Sequence, residues 1–321
     1  MAFYISAWAW IGDDVANVVR NFYTTGVLPP HINDTHIALI SKKLVCHLPS
    51  DFRPISLCNV VYKIIAKSLA NRLKKHLPDY IHPSQQAFIK GRRIRNNIIV
   101  AQEIAHSFSL TSWKSHDFML KIDLAKAFDR IEWNFIVSAL ARKGFHGHFI
   151  NLVHACISSP MFSVIINGQS SAKFSSSRGI RQGCPLSPYL FVFAVNELAL
   201  TLQDALQTNQ LVGISLGLDC PPIHSLIFAD DLIVCGKANV QEAQSISRII
   251  DHFCYNSGQT PNWNKSGILF SKNVTMQVKE EIRAIFPVPD IGSSFVHLGH
   301  PLILPSKNRS AAYTFLYDKF R

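Results

Sequence analysis

The chain has 321 residues, 48% of them hydrophobic, and a net charge of +11. Such a length suggests one large domain or two to three small ones with a substantial core. Seven scattered cysteines without a C-x-x-C spacing argue against a disulfide framework or a thiolate zinc site; the N-terminus lacks a basic leader, and no run reaches the roughly 18 apolar residues of a membrane span.

Most of the positive charge lies early. Residues 1–100 hold seven Lys and six Arg against five Asp and no Glu. A basic region of this kind suits a polyanionic partner with a phosphate backbone.

In chain order, residues 14–25 read as a short helix ending near Gly26, and His36–Ile40 as a strand leading into Lys42-Lys43. Asn59–Tyr80 reads as an amphipathic helix: Val61, Ile64, Ile65, Leu69 and Leu73 share a stripe that Lys63, Lys67, Lys74 and Lys75 avoid. A turn-rich stretch, His82–Arg95, precedes a second helix over Ile94–Phe108. A strand is expected at 118–123, helices at 132–143 and 147–158, and a strand at Phe162–Asn167. A Ser-rich loop then leads to a long, largely buried helix over Pro185–Gln207. A hairpin over 223–235, a helix over 240–256 capped by Gly258, and short strands at 267–271 and 295–304 follow. Residues 308–321 are weakly amphipathic. Strands and helices mixed after a basic helical region indicate an α+β fold.

The chemistry concentrates in Phe228-Ala229-Asp230-Asp231, two adjacent carboxylates at the turn between two apolar runs. Two neighbouring buried charges are costly unless a cation meets them, and a divalent metal is the usual reason. Residues 118–123 supply a third carboxylate, Asp123, at a strand end. Carboxylates on neighbouring strand ends can hold two hard cations roughly 3.5–4 Å apart for in-line phosphoryl displacement. Asp129 is the rival to Asp123.

Taken together, the motifs make the chain resemble the reverse transcriptase of LINE-type (non-LTR) retrotransposons, most like those of plant genomes. The strings that carry the likeness are 51–57 (DFRPISL), 82–92 (HPSQQAF, then GR), 121–129 (KIDLAKAFD), 178–188 (RGIRQGCPLSP), 228–231 (FADD), Ser257-Gly258-Gln259 with Asn264-Lys265-Ser266, and 297–302 (HLGHPL). They run in the family's order from about Ile11 to about Leu304.

The resemblance implies a right-hand polymerase fold: fingers over 1–115, palm over 116–305, and only the truncated start of a thumb or connection at 306–321. It implies RNA-directed transfer of dNTPs onto a primer 3′-hydroxyl, with Asp123, Asp230 and Asp231 as catalytic metal ligands, the Leu124 carbonyl as an extra ligand, and two Mg²⁺ ions, Mn²⁺ being the alternative. Lys265 matches a lysine proposed as general acid toward pyrophosphate. Arg53 and one of Lys42 or Lys43 would embrace the triphosphate. Phe128 would gate the sugar, and Gln182 and Gly183 would contact nucleotide or template. Lys90, Arg92, Arg93 and Arg95 would follow the template phosphates.

The implied partners are an RNA template, a DNA primer and dNTPs, with no membrane and no stable protein partner to infer. The setting would be intracellular, nuclear or cytoplasmic, and the chain a piece of a longer retrotransposon polyprotein. Two departures stand out: Cys184 in place of a usual Asp, and Pro261 where a β-branched residue would continue a strand. A degenerate nucleic-acid-binding remnant is the alternative, and an RNA-dependent RNA polymerase or other palm polymerase a third.

Overall fold

The computed structural model describes residues 2–217, 219–292 and 295–304. The elements are α1 (Ala2–Ser6), α2 (Trp8–Thr25), β1 (Thr35–Ser41), β2 (Phe52–Cys58), α3 (Val60–Tyr80), α4 (Ile94–Ser109), β3 (Asp117–Asp123), α5 (Ala127–Arg130), α6 (Trp133–Arg142), α7 (Gly147–Ser158), β4 (Met161–Ile166), β5 (Gln169–Ser170), β6 (Phe174–Ser175), α8 (Ser187–Gln207), β7 (Ser225–Phe228), β8 (Asp231–Lys237), α9 (Val240–Ser257), β9 (Gly267–Phe270), α10 (Met276–Ile285), β10 (Val296–His297) and β11 (His300–Pro301). This is the α+β mixture the sequence implies.

The chain divides into two compact units, and neither is continuous: Met1–Tyr80 with Phe128–Ala194, and Ile81–Ala127 with Val195–Arg321. The segments expected from the sequence, 1–115, 116–305 and 306–321, are contiguous and follow another division. Local periodicity carries no information about which distant segments pack together. The expected thumb start at 306–321 lies outside the described residues.

In the first unit, β1 pairs with β2 antiparallel and with β4 in parallel, and the short β5 and β6 both pair with β4. β2 was read only as a motif string. Its Pro54 disguises it, and the sheet accepts that ring because β2 is an edge strand. Of the apolar stripe of α3, Val61, Ile65, Leu69 and Leu73 are buried while Ile64 is half-buried, and Leu77 extends the buried face. α8 is long and apolar enough to cross a bilayer by length and composition, but most of it is buried within the protein.

In the second unit, β7-β8-β3-β9 form an antiparallel sheet. β3 is buried along its length except at Asp123. Ile104, Phe108, Met119, Ile233 and Cys235 form part of the core on one side. β10 and β11 are a hairpin turned by Leu298 and Gly299, both at positive φ, rather than the single strand expected over 295–304.

Candidate active site

β3 ends on Asp123, β8 begins on Asp231, and the two are register partners. Like charges directly opposite on neighbouring strands repel. Between β7 and β8 the turn consists of Ala229 and Asp230, since Phe228 pairs with Asp231. Ala229 sits at φ +55°, a left-handed conformation that costs an L-residue roughly 1–2 kcal/mol. Residues held in such conformations cluster where function over-determines them.

Asp230 is exposed at the turn by residue area, yet its surroundings are dense. Partial burial, then the charges of Asp231 and Asp123, push its carboxyl above the ordinary range. Burial also raises Asp231, against the pull of Lys121. Strand alternation puts Lys121 on the face of Asp123. Its Nζ, almost fully buried, lies 3.6 Å from Asp231 Oδ1. Among the described residues, no three His, Cys, Asp or Glu side chains close into a ready-made metal cluster. The donors nevertheless suit a hard divalent cation: all are carboxylate oxygens, and two carboxyls are raised in pKa, first by burial and then by neighbouring carboxylate charge.

Backbone contacts fix Asp123. Its N–H donates to Ser266 Oγ at 3.1 Å. Its carbonyl accepts from Asn262 N at 2.7 Å, and Ala125 N–H reaches Thr260 O at 2.9 Å. These bonds bracket the Leu124–Pro261 bridge, so the missing N–H of Pro261 costs the pairing nothing. Lys265 is exposed on the short 3₁₀ turn Trp263–Lys265 beside this bracket. Gln259, buried, donates Nε2 to Ala127 O at 2.9 Å, holding the chain that leaves Asp123.

The 82–92 block braces the acidic turn. Ile227 N–H donates to Ser84 O and Gln86 N–H to Ile227 O, both at 2.9 Å, so this segment pairs with β7. Arg92 donates to the carbonyls of His82 (2.6 Å), Gln85 (2.6 Å) and Ile81 (2.7 Å). Its guanidinium holds the loop together. Lys90, Arg93 and Arg95 are exposed. Further along, Asn97 Nδ2 donates to Ile227 O at 3.2 Å, and His297 Nε2 meets Asn97 Oδ1 at 2.8 Å. Burial, and then the Lys121 charge, lower the His297 pKa to about 4.

The remaining candidates belong to the first unit. Lys42 Nζ donates to Ser50 O at 2.8 Å, and Lys43 pairs with Asp51 at 2.9 Å. The Lys43 bond, joined by the His47 and Leu48 amides, lowers Asp51 to about 2. Both lysines therefore serve the β1–β2 loop in this state, while Arg53 is exposed on β2. Phe128 stacks on Phe191, 4.8 Å between centroids and 18° between planes, so part of its ring is core packing. Gly183, at φ +102°, passes so close to β2 that a Cβ would meet Ser56 O at 3.1 Å. Gln182 O accepts from Ser56 N at 2.8 Å, and its side chain reaches Asp129 at 3.5 Å. Asp129 thus lies in the first unit, whereas Asp123 is the register partner of Asp231.

Pro54, Ser56, Tyr62, Asp129, Arg181 and Gln182 help line a cavity of about 260 Å³. Arg181 is buried beside it and satisfied by neutral acceptors: Asn33 Oδ1 (2.6 Å), Thr35 Oγ1 (2.9 Å) and Cys156 O (3.0 Å). Cys184 Sγ rests 3.5 Å from Tyr62 Oη. The departure at 184 leaves a thiol–phenol contact in this buried place.

Sequence reasoning missed Lys121, Gln85, Asn97 and Ser266 as parts of the site. Lys121 carried a usable signal, since two residues before Asp123 on a strand is the same face. The others act through backbone atoms of distant segments, which no local pattern reveals.

An antiparallel sheet with in-register acidic strand ends and a two-residue acidic turn defines the palm of a nucleotidyl-transferring polymerase. A family profile described as reverse transcriptase (RNA-dependent DNA polymerase) matches residues 40–301. The chain belongs to that reverse transcriptase family. It is 29% identical over 266 residues to the transposon TX1 uncharacterised 149 kDa protein of Xenopus laevis, covering 82% of this chain and 20% of that protein. It is 27% identical over 295 residues to the retrovirus-related Pol polyprotein from type-1 retrotransposable element R2 of Popillia japonica, covering 88% of this chain and 40% of that one. The chain therefore spans well under half of these relatives. A shorter match, 43% identical over 67 residues, joins it to an uncharacterised mitochondrial protein of Arabidopsis thaliana, covering 21% of this chain and 55% of that protein. Apo telomerase from Candida tropicalis shares the fold, with a TM-score of 0.53 at 13% identity over 82% of this chain and 50% of that one.

Proposed function

We propose that this chain is the polymerase core of a plant LINE-type (non-LTR) element, copying an RNA template by adding dNTPs to a DNA primer. The observation that carries this is the in-register pairing of Asp123 with Asp231 beside the Asp230 turn. Two Mg²⁺ ions, or Mn²⁺, held there would lower the pKa of the primer 3′-hydroxyl and neutralise the triphosphate and departing pyrophosphate. The three carboxylates would hold that charge, with the Leu124 carbonyl as a further ligand. Lys121 limits the repulsion between them. Lys265, exposed beside Asp123's bracket, is suited to hand a proton to pyrophosphate. Arg53 contacts the triphosphate, Phe128 faces the sugar, and Gln182 with Gly183 contacts nucleotide or template. Lys90, Arg93 and Arg95 follow template phosphates. The work is intracellular, in nucleus or cytoplasm.

The test is primer extension on an RNA template with Mg²⁺ and either dNTPs or rNTPs. Incorporation of dNTPs that Asp230→Asn abolishes, with template binding intact, is expected. Binding without incorporation would favour a catalytically inactive remnant, and rNTP addition would favour an RNA polymerase.

A further inference from the structure

The turn that carries Asp230 is held from behind by one side chain. Gln85 is fully buried. Its Oε1 accepts two backbone N–H groups, Ala87 at 2.9 Å and Ala229 at 3.2 Å. The second is the amide of the one turn residue forced to a positive φ, immediately before Asp230. The main chain of the same segment is fixed on both sides. Ser84 and Gln86 pair with Ile227, and Arg92 grips the Gln85 carbonyl. Gln85 is thus anchored independently of the turn it touches, as a rigid support should be.

We infer that Gln85 is a positioning residue: its amide oxygen locks the left-handed Ala229 turn and so aims the Asp230 carboxylate at the cation site. A two-residue turn gives an L-alanine no intrinsic reason to stay at positive φ. Asp230 also has Asp231 and Asp123 charges pushing on it. Without a fixed partner the turn relaxes away from both stresses. An acceptor on a glutamine meets the need without adding a fourth negative charge beside the three carboxylates. Its role rests on the proposed cation-binding function of Asp230, but its hold on Ala229 does not.

The experiment compares the full chain with Gln85→Met, which keeps the volume and loses the acceptor, and Gln85→Glu, which keeps an acceptor. Amide hydrogen exchange is followed residue by residue, and Mn²⁺ binding is titrated directly. In Gln85→Met, exchange at Ala229 should accelerate at least about 10-fold while Leu232 and Val234 stay protected. Mn²⁺ affinity should fall about 10-fold, the lower end of what lost supporting contacts cost a metal site. Gln85→Glu should restore Ala229 protection. Adding Ala229→Gly to Gln85→Met should recover part of the Mn²⁺ affinity, because glycine takes a positive φ without strain. Unchanged exchange at Ala229 in a folded Gln85→Met would overturn the inference. So would faster exchange with unchanged Mn²⁺ affinity, or equal loss of protection across β8 in both variants. A wild-type chain that binds no Mn²⁺ would overturn the cation reading of Asp230, and the Ala229 exchange rates would separate that failure from one of Gln85.

Discussion

The two ends of one strand pair solve opposite problems. β3 and β8 run side by side through seven register pairs, from Asp117 opposite Lys237 to Asp123 opposite Asp231. At the first end the charges are opposite and closed. Asp117 is fully buried, and its carboxylate accepts from Lys237 Nζ (2.8 Å), Trp113 Nε1 (2.9 Å) and Ser115 Oγ (3.0 Å). At the second end the charges are alike and open, with a single lysine 3.6 Å from one carboxylate. Folding alone explains the first arrangement. It does not explain the second, where two carboxylates face each other with little to balance them. Identical residue types in one sheet thus separate by how fully their neighbours satisfy them.

The largest expected effect lies at the closed end. Asp117→Ala leaves the Trp113 N–H without its acceptor and the Lys237 ammonium without its counter-charge, with Ser115 Oγ as its remaining acceptor. Losing a partner in a buried charged network costs about 3–5 kcal/mol, but Lys237 retains 28% exposure and can turn to water, so about 2–3 kcal/mol is expected. The urea midpoint should drop with little change in slope, and Mg²⁺ binding should survive under folding conditions. A neutral substitution would mean that the closed end is no better satisfied than the open one.

The open end of this contrast was legible in the sequence, whereas the closed end, Asp117 with Lys237, was not. Asp123, Asp230 and Asp231 announce themselves because strand ends and a two-residue turn are local. α3 and the buried strand at 118–123 follow from periodicity and apolar runs. β2 was hidden by Pro54. α10 was missed although its sequence is amphipathic; Ile282 is its one buried residue. The start of α2 was placed near residue 14 although the helix begins at Trp8, where Ala7 gives no side-chain cap to signal it. The carbonyls that Arg92 grips lie 7, 10 and 11 residues back along the chain, a contact that no local pattern announces.

A smaller effect of opposite sign is expected at the open end. Asp123→Asn removes a like charge facing Asp231 while leaving the Lys121–Asp231 contact intact. Cross-strand charge pairs are worth roughly 0.2–1 kcal/mol. The Asp231 side chain is 34% exposed, so the gain should sit toward the low end. Without divalent cations the variant should therefore melt slightly above wild type. With Mg²⁺ the order should reverse, because only wild type gains the ligand-linked increment. A lower melting temperature in the cation-free state would show that Asp123 is a folding residue like Asp117.

The smallest and most discriminating effect is the pH dependence of that difference. Asp230 and Asp231 have folded-state pKa values raised above their ordinary ones. A raised carboxyl binds its proton more tightly when folded, so it opposes folding at pH above the raised value. That opposition fades as pH falls through the raised value and is gone below the ordinary carboxylate range near 4. Asp51, lowered to about 2, has the opposite sign: its support is present above the ordinary range and is lost below it. A cation-free comparison of wild type with the double variant Asp230→Asn/Asp231→Asn cancels Asp51, which both proteins share. The variant's advantage in melting temperature should be largest near pH 7 and should shrink toward zero as pH approaches about 4. Asp117→Asn should instead melt below wild type, since it loses the ion pair with Lys237. If the Asp230/Asp231 difference grew on acidification, those carboxylates would be stabilised by the fold, and the distinction between the two ends of the strand pair would fail.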